Sequence, residues 1–260
     1  PGAVGEPLYL DVTAALAGEN LSHIRIFSGR YGLSSKETTP AQIAAVYANH
    51  TRPCFTIGIT DDVTHLSLEV PEIPDTAPDD IVSCKFWGLG GDGTVSATKN
   101  AIKIIGNHTD MTVQGYFEYD SKKSRGLTIS HLRFGKSPIR SAYLIHKADF
   151  AACHNQVYLH KYQMAQELKD GGTFLLNYHF RDDGGSRQEE PETYASLAEN
   201  VEFSKDEGMS GDDILSRNRT QTKKKIELMV KELDQYLPNP MKSYLAGHRI
   251  RFYVIDAIGI

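Results

Sequence analysis

The sequence has few cysteines, no excess of basic charge and no long apolar run. Its 260 residues include 3 cysteines, and 28 Lys and Arg are outnumbered by 33 Asp and Glu, which gives a net charge of −5. This acidic balance provides no basic face for a phosphate backbone and argues against nucleic acid as a partner. No apolar run approaches the roughly 20 residues that cross a bilayer, and residues 1–10 lack the features of a secretion signal. We therefore expect no membrane partner and a cytoplasmic protein.

The three cysteines match no metal framework. Cys54, Cys84 and Cys153 are separated by 30 and 69 positions, which fits neither a zinc site nor an iron–sulfur motif. We interpret them as buried free thiols in a reducing compartment. Apart from the weak His154–His160 region, which is more typical of a surface than of a ligand set, no histidine has a partner spacing with a nearby acid, and no Gly-x-Ser-x-Gly elbow is present. The sequence therefore predicts no metal ligands and no catalytic residues.

The distribution of turns predicts two α/β domains. Hydrophobic residues make up 40% of the chain and charged residues 23%, as is typical of a globular protein. Prolines and acids at residues 73–80 predict a linker between residues 1–72 and 81–260. Residues from about 181 to 222 combine glycines and acids with scarcely any apolar pattern, which predicts a polar insertion.

Local patterns predict the order of strands and helices. Thr39 is placed to cap a helix with Pro40 in its first turn. A strand over Ile81–Trp87 is followed by a helix that starts at Thr94 and that Gly106 is expected to end. Further strands over Leu127–Phe134, Ala148–Cys153 and Thr173–Phe180 are predicted, with a helix over Val157–Leu168 completing a βαβ unit.

The strongest motif is Gly88-x-Gly90-x-x-Gly93, between a predicted strand and a predicted helix. Residues without side chains let backbone amides approach a pyrophosphate, and the helix N-terminus contributes unpaired N–H groups. The motif therefore predicts an anion site, although such a turn can also form without any ligand. Asp92 can either cap the helix or repel a phosphate, and we favour capping.

Charged residues at and after the end of the next predicted strand are compatible with two kinds of ligand, NAD and a ligand with additional phosphates. Glu118 and Asp120 lie where a dinucleotide fold binds a ribose hydroxyl, which would suit NAD. Three cations within Ser121–Arg125 suit additional phosphates better, unless they form only a solvated turn. Gly91-Asp92-Gly93 resembles the start of a thiamine diphosphate motif, but no Asn occurs between Asn107 and Asn155 to complete it, so we do not expect thiamine binding here.

Several longer stretches of the chain are similar to a known family. They are KFWGLGGDGTVSATKNAIKIIG (85–106), GYFEYDSKKSRGLTISHLRFG (115–135), ADFAACHN (148–155), GGTFLLN (171–177) and RFYVIDA (251–257). These resemble the gamma-type domain III of pyruvate:ferredoxin (flavodoxin) oxidoreductases. PGAVGEPLYLDV (1–12), GRYGLSSKETTPAQI (29–43) and TIGITDDVTHLSL (56–68) resemble the end of the family's domain II. Only residues 181–222 depart from the family, which is usually shorter there.

The resemblance implies an α/β fold. A Rossmann-like gamma domain with a mostly parallel sheet would occupy residues 81–260, after part of a transketolase C-terminal-like domain at residues 1–72. The parent enzyme would convert pyruvate, coenzyme A and oxidised ferredoxin or flavodoxin to acetyl-CoA, CO2 and reduced carrier. Its thiamine diphosphate, magnesium and [4Fe-4S] clusters would be bound outside this chain. Its partners would be its remaining domains, the electron carrier and a second copy in a homodimer.

The resemblance also implies a role for this portion, which is to help bind coenzyme A and to close an active site built elsewhere. We expect the fragment to be inactive alone. The expected coenzyme A contacts are Gly88, Leu89, Gly90, Gly91, Asp92, Gly93, Thr94, Lys122, Lys123, Ser124 and Asn177. Of these, the turn would supply amides, the lysines would pair with phosphates, and Asn177 would be a polar contact. The alternatives are an NAD(P)-binding Rossmann reductase domain and a structural domain without a ligand.

Overall fold

The computed structural model describes residues 5–32, 36–70, 76–120, 126–180, 223 and 226–257. The chain divides into two compact units, one of Pro1–Pro78 with Arg140–Leu144 and one of Asp79–Ile139 with Ile145–Ile260. The identities of the two domains remain predictions, and the expected insertion at 181–222 lies outside the described residues. Within the described ranges, no helix has both the length and the apolar character needed to cross a membrane.

The first unit contains two helices and two short parallel strands. Its elements are α1 (Pro7–Gly18), β1 (Ser28–Arg30), α2 (Pro40–Ala48) and β2 (Cys54–Thr56). The predicted start of α2 is confirmed, because Thr39 Oγ1 accepts from the Gln42 N–H at 3.3 Å and the Gln42 side chain accepts from the Thr39 N–H at 3.2 Å. This reciprocal capping box satisfies two donors at the start of the helix.

The second unit is built on a six-stranded sheet. Its elements are β3 (Val82–Leu89), α3 (Thr94–His108), β4 (Thr112–Tyr119), β5 (Leu127–Gly135), β6 (Ala148–Cys153), β7 (Leu168–Asn177), α4 (which includes residues 226–236), α5 (Asn239–Gly247) and β8 (Arg251–Ile255). The strand order is β4-β5-β3-β6-β7-β8. The three pairings from β3 to β8 are parallel, and the two that involve β5 are antiparallel. The predicted α/β class with a mostly parallel sheet is thereby confirmed.

Helix α3 continues past Gly106, so the prediction that this glycine ends the helix is wrong. The helix ends at His108, two residues later. A Cβ at Gly106 would lie 3.4 Å from Val113 Cγ1 of β4, and the Ile102 side chain fills the space beside Gly115 on the same strand. The missing side chain of Gly115 therefore lets α3 pack closely on the sheet, whereas at Gly106 a methyl group would make only an ordinary van der Waals contact.

The predicted helix over Val157–Leu168 is also wrong, because the segment forms two 3-10 helices, Gln156–His160 and Met164–Glu167, before β7 begins at Leu168. Its buried side chains are Tyr158, Leu159, Met164, Ala165 and Leu168. A continuous α-helix with about 3.6 residues per turn would spread these five side chains around most of its circumference. Two short turns bury all of them, and β6 and β7 still pair in parallel.

The main hydrophobic core lies on the face of the sheet away from α3. Side chains alternate between the two faces of a strand, and Trp87, Cys153, Phe174 and Leu176 project from the same face as this core. The core also includes residues of both 3-10 helices together with Leu237, Met241 and Leu245 near and within α5. This packing fixes the carboxyl ends of β3, β6 and β7 relative to one another.

Candidate functional site

The glycine-rich turn from Gly88 to Thr94 lies where the direction of chain crossover reverses. After β3 the chain runs through α3 to β4 and β5 on one side, whereas β6, β7 and β8 follow on the other. Parallel strands β3 and β6 end side by side at this edge, and the His154 N–H donates to the Trp87 carbonyl at 2.9 Å. Open α/β sheets bind ligands in the crevice outside the carboxyl ends of strands at such a switch point.

One side of this turn, which we call the closed side, is filled by its own side chains. The Asp92 carboxylate accepts from the Leu89 N–H at 2.7 Å and from the Thr94 N–H at 2.8 Å. Gly88 is buried, and a Cβ there would lie 2.7 Å from Thr94 Cβ and 2.8 Å from Asp92 Oδ2. The N-cap residue of α3 is Gly93, and no side chain caps the helix from that position. Asp92, one residue earlier, bonds to the N–H of the first helical residue, so two amides of the turn already have an anionic partner.

On the other side, the open side, the structure places no described residue against the backbone. Gly91 and Gly93 have φ of +96° and +92°, a left-handed conformation that glycine adopts without strain, and no heavy atom of the described residues lies within 4 Å of an added Cβ at either glycine. Among the described residues, no group accepts from the N–H of Gly91, Gly93, Val95 or Ser96. The end of the turn and the first turn of α3 therefore leave four N–H donors without an acceptor among these residues, and the helix dipole favours an anion at this end of α3.

His154 joins the turn to the end of β6 and was not among the predicted site residues. Its Nδ1 is 2.7 Å from Thr94 Oγ1. Burial lowers the pKa of His154, and the nearby Asp92 carboxylate opposes that shift only in part. The half-buried imidazole is therefore predominantly neutral at pH 7. Spacing of histidines along the sequence could not reveal this role, since its partner lies 60 positions away; its place one residue after a parallel strand was the available signal.

Asn177, the last residue of β7, is engaged by backbone groups. Its Nδ2 donates to the His154 carbonyl at 3.3 Å, and its Oδ1 accepts from the Ala257 N–H at 2.9 Å. The side chain therefore links the ends of β6, β7 and the segment after β8. The structure brings Asn177 to the same edge as the turn, where its amide supports His154.

The predicted cations Lys122 and Lys123, together with Ser124, lie outside the described residues. Of the described residues on either side of them, Gly126 accepts at its carbonyl from the Gly90 N–H at 2.8 Å, and Asp120 donates from its N–H to the Leu127 carbonyl at 3.0 Å. Gly126 therefore lies beside the glycine-rich turn. Their role in ligand binding remains a prediction.

Glu118 is committed to a contact away from the turn. Its Oε2 lies 2.6 Å from His131 Nε2, and the hydrogen bond from His131 lowers the pKa of the Glu118 carboxyl. His131 Nδ1 accepts from the Ile145 N–H at 3.2 Å, so both ring nitrogens are used. Because Phe117 faces Lys99 of α3, the alternation of the strand directs Glu118 to the opposite face of the sheet.

The cysteines offer no reactive or metal-binding cluster. Cys84 and Cys153 are buried as predicted, whereas Cys54 is exposed, so the expectation of burial is wrong for Cys54. Burial raises the pKa of Cys84 and of Cys153 to about 12, which keeps both as thiols. In the part of the chain that the structure describes, no group of three or more His, Cys, Asp or Glu side chains could hold a metal ion.

The chain is clearly similar to known sequences. Residues 83–260 match the family model described as pyruvate ferredoxin/flavodoxin oxidoreductase. The whole chain aligns at 46% identity with pyruvate:ferredoxin oxidoreductase of Moorella thermoacetica and at 43% with pyruvate-flavodoxin oxidoreductase of Enterobacter agglomerans. In each case it spans 18% of the relative's length.

Solved structures show weaker similarity. A pyruvate oxidoreductase subunit from Thermotoga maritima is 17% identical with a TM-score of 0.33, and the match covers 40% of this chain and 53% of that one. The 2-oxoglutarate:ferredoxin oxidoreductase of Magnetococcus marinus is also 17% identical with a TM-score of 0.33, over 44% of this chain and 19% of that one.

Proposed function

Because this chain belongs to the pyruvate ferredoxin/flavodoxin oxidoreductase family, we propose that it is the coenzyme A-binding portion of a larger cytoplasmic 2-oxoacid oxidoreductase. The parent enzyme would convert pyruvate, coenzyme A and oxidised ferredoxin or flavodoxin to acetyl-CoA, CO2 and the reduced carrier. This portion would hold the thiol cosubstrate and close an active site built by other domains, in a homodimer. Holding the thiol beside its acceptor would make the acyl transfer effectively intramolecular.

The open side of the turn is the observation on which the proposal depends. A diphosphate needs several convergent N–H donors, and the amides of Gly91, Gly93, Val95 and Ser96 have no acceptor among the described residues. Left-handed glycines leave room for phosphate oxygens to approach the backbone. We assign the diphosphate of coenzyme A to these four amides, which we call the outer amides. We expect Lys122 and Lys123, which follow β4 in the sequence, to contribute positive charge.

Asp92 sets a limit on how an anion can bind. Its carboxylate occupies the Leu89 and Thr94 amides and repels a second anion, so these two amides are assigned to turn formation. Within Gly88–Thr94, the amides that we still expect to contact the ligand are therefore those of Gly91 and Gly93. Asn177 is correspondingly assigned a supporting role, since both ends of its side-chain amide bind backbone groups.

The described residues do not fit the redox cofactors of the parent enzyme. Thiolate ligands for an iron–sulfur cluster must converge, whereas two of the three cysteines are buried thiols with a pKa raised to about 12. We therefore assign thiamine diphosphate, magnesium and [4Fe-4S] clusters to other parts of the parent and derive no step through them.

The geometry does not favour the NAD(P)-dependent alternative. A ribose-binding acid belongs at the end of a strand adjacent to the glycine-rich turn. Here β5 lies between β3 and β4, and the Glu118 carboxylate is held by His131 on the sheet face away from α3. The Glu118 carboxylate is therefore not available to bind a ribose hydroxyl beside the turn.

Calorimetric titration of the purified chain tests the proposal. Coenzyme A is expected to bind, whereas pantetheine, which lacks the diphosphate, and NADH should bind much more weakly. Heat from NADH alone would favour a reductase, and no heat from any of the three would leave the chain with a structural role. Equal affinity for pantetheine and coenzyme A would remove the diphosphate from the assignment.

A further inference from the structure

The hydrogen bond between His154 and Thr94 crosses the switch point and connects the two halves of the sheet. Thr94 is the first residue of α3 and is 3% exposed, and its hydroxyl lies 2.7 Å from His154 Nδ1. His154 follows directly after β6. No other hydrogen bond between side chains of the described residues links α3 to the end of β6.

Both partners are themselves held in place. The His154 main chain donates to Trp87 and accepts from Asn177, and its ring lies against Phe86 with centroids 6.3 Å apart. The Thr94 main chain receives the Asp92 carboxylate on its N–H and the Thr98 hydroxyl on its carbonyl, at 2.8 and 3.0 Å. A side-chain contact between two fixed backbones restrains the helix start more than a contact with a mobile residue would.

We propose that His154 is a positioning residue, which holds the first turn of α3 through Thr94 Oγ1 so that the outer amides converge on one diphosphate. This proposal rests on the proposed coenzyme A function. Val95 and Ser96, two of the four donors, follow Thr94 directly in the helix, so a rotation of Thr94 would misalign both. His154 acts through Thr94 and is not assigned a contact with the ligand.

A double-mutant cycle on the full chain tests this role. Thr94→Val removes the hydroxyl at nearly constant volume, and His154→Phe removes the ring nitrogen. Each substitution is expected to weaken coenzyme A binding about 3- to 10-fold, and the double variant should be no weaker than the poorer single variant. His154→Asn, whose amide can take the place of Nδ1, should restore most of the affinity. His160→Phe, a substitution of an exposed histidine that contacts Tyr236, is the matched control.

Two further measurements separate positioning from a general loss of structure. Pantetheine affinity should not change in any variant, because pantetheine lacks the diphosphate. Amide hydrogen exchange at Ala97 and Thr98, the first amides of α3 that donate to carbonyls of the preceding turn, should become faster in His154→Phe and return to the wild-type rate in His154→Asn. Additive effects in the cycle, an equal loss of pantetheine affinity, or unchanged exchange at these amides would overturn the proposal.

The experiment also distinguishes this proposal from the coenzyme A assignment itself. If the wild-type chain does not bind coenzyme A, the proposed function fails, whereas the exchange data still report whether His154 holds the first turn of α3. If the wild-type chain binds and the variants bind equally well, the function stands and the positioning role of His154 is wrong.

Discussion

The closed and open sides of the glycine-rich turn differ in what fills the space beside each glycine. Beside Gly88, the side chains of Thr94 and Asp92 leave no room for a Cβ, whereas beside Gly91 and Gly93 an added Cβ would meet no atom of the described residues. One glycine is therefore required by packing inside the protein, and the other two by backbone conformation at its surface. A glycine motif alone does not indicate which of its amides a ligand can reach.

The largest effect is expected from Gly88→Ala, which breaks the closed side. The new methyl group would overlap Thr94 and Asp92, and overpacking at a well-packed site typically costs about 1–3 kcal/mol in the free energy of unfolding. Urea denaturation followed by fluorescence of Trp87, the single tryptophan, measures this loss.

Gly106→Ala is the matched control, because it adds the same methyl group to a helical glycine where the nearest atom is 3.4 Å away. We expect its stability to remain within about 1 kcal/mol of the wild type, since the gain in helix propensity offsets the closer contact. Equal losses in both variants would show that the closed side is no more tightly packed than the outside of α3.

A smaller effect, of opposite sign for stability and for binding, is expected from Asp92→Asn. The two oxygens of Asp92 accept from Leu89 and Thr94 separately. An asparagine has one oxygen, so it keeps one of these bonds without the charge and loses the other, and the free energy of unfolding should fall by about 1–2 kcal/mol. Removal of the repulsive charge should tighten coenzyme A binding about two- to fivefold. Calorimetry and urea denaturation of the same preparation measure both quantities. Weaker binding of coenzyme A by this variant would mean that Asp92 itself contacts the ligand.

The sequence predicted local features of the fold better than contacts distant along the chain. The strand before Gly88, the helix after it and the Thr39 cap follow from periodicity and from residues within four positions of one another. The 3-10 helices at 156–167 escaped prediction because their form depends on which side chains the sheet buries. The contacts of His154 with Thr94 and of Glu118 with His131 escaped prediction because strand order brings them together, and local pattern does not contain strand order.

The same difference explains why the turn was predicted as one site. In the sequence, Gly88 to Thr94 is a continuous run of potential amide donors. In the fold, the Asp92 carboxylate accepts from two of those amides, and the carbonyl of Gly126, the residue before β5, accepts from a third, that of Gly90. The number of donors left for a ligand therefore depends on contacts made after folding.

The smallest effect is expected in the pH dependence of the free energy of unfolding, through His154. Burial holds the pKa of His154 below its usual value of 6.5, so the neutral form stabilises the folded chain. The contribution is fully present above pH 6.5 and is lost as the pH falls through the lower pKa of the folded state. His131, whose pKa burial also lowers, and Glu118 add acid sensitivity of the same sign.

The informative quantity is therefore the difference between the wild type and His154→Asn, which keeps a polar contact but does not titrate. Between about pH 7 and about pH 5, the wild type should lose more unfolding free energy than this variant in urea denaturation. Parallel pH profiles would mean that burial does not hold the pKa of His154 below its usual value in the folded chain.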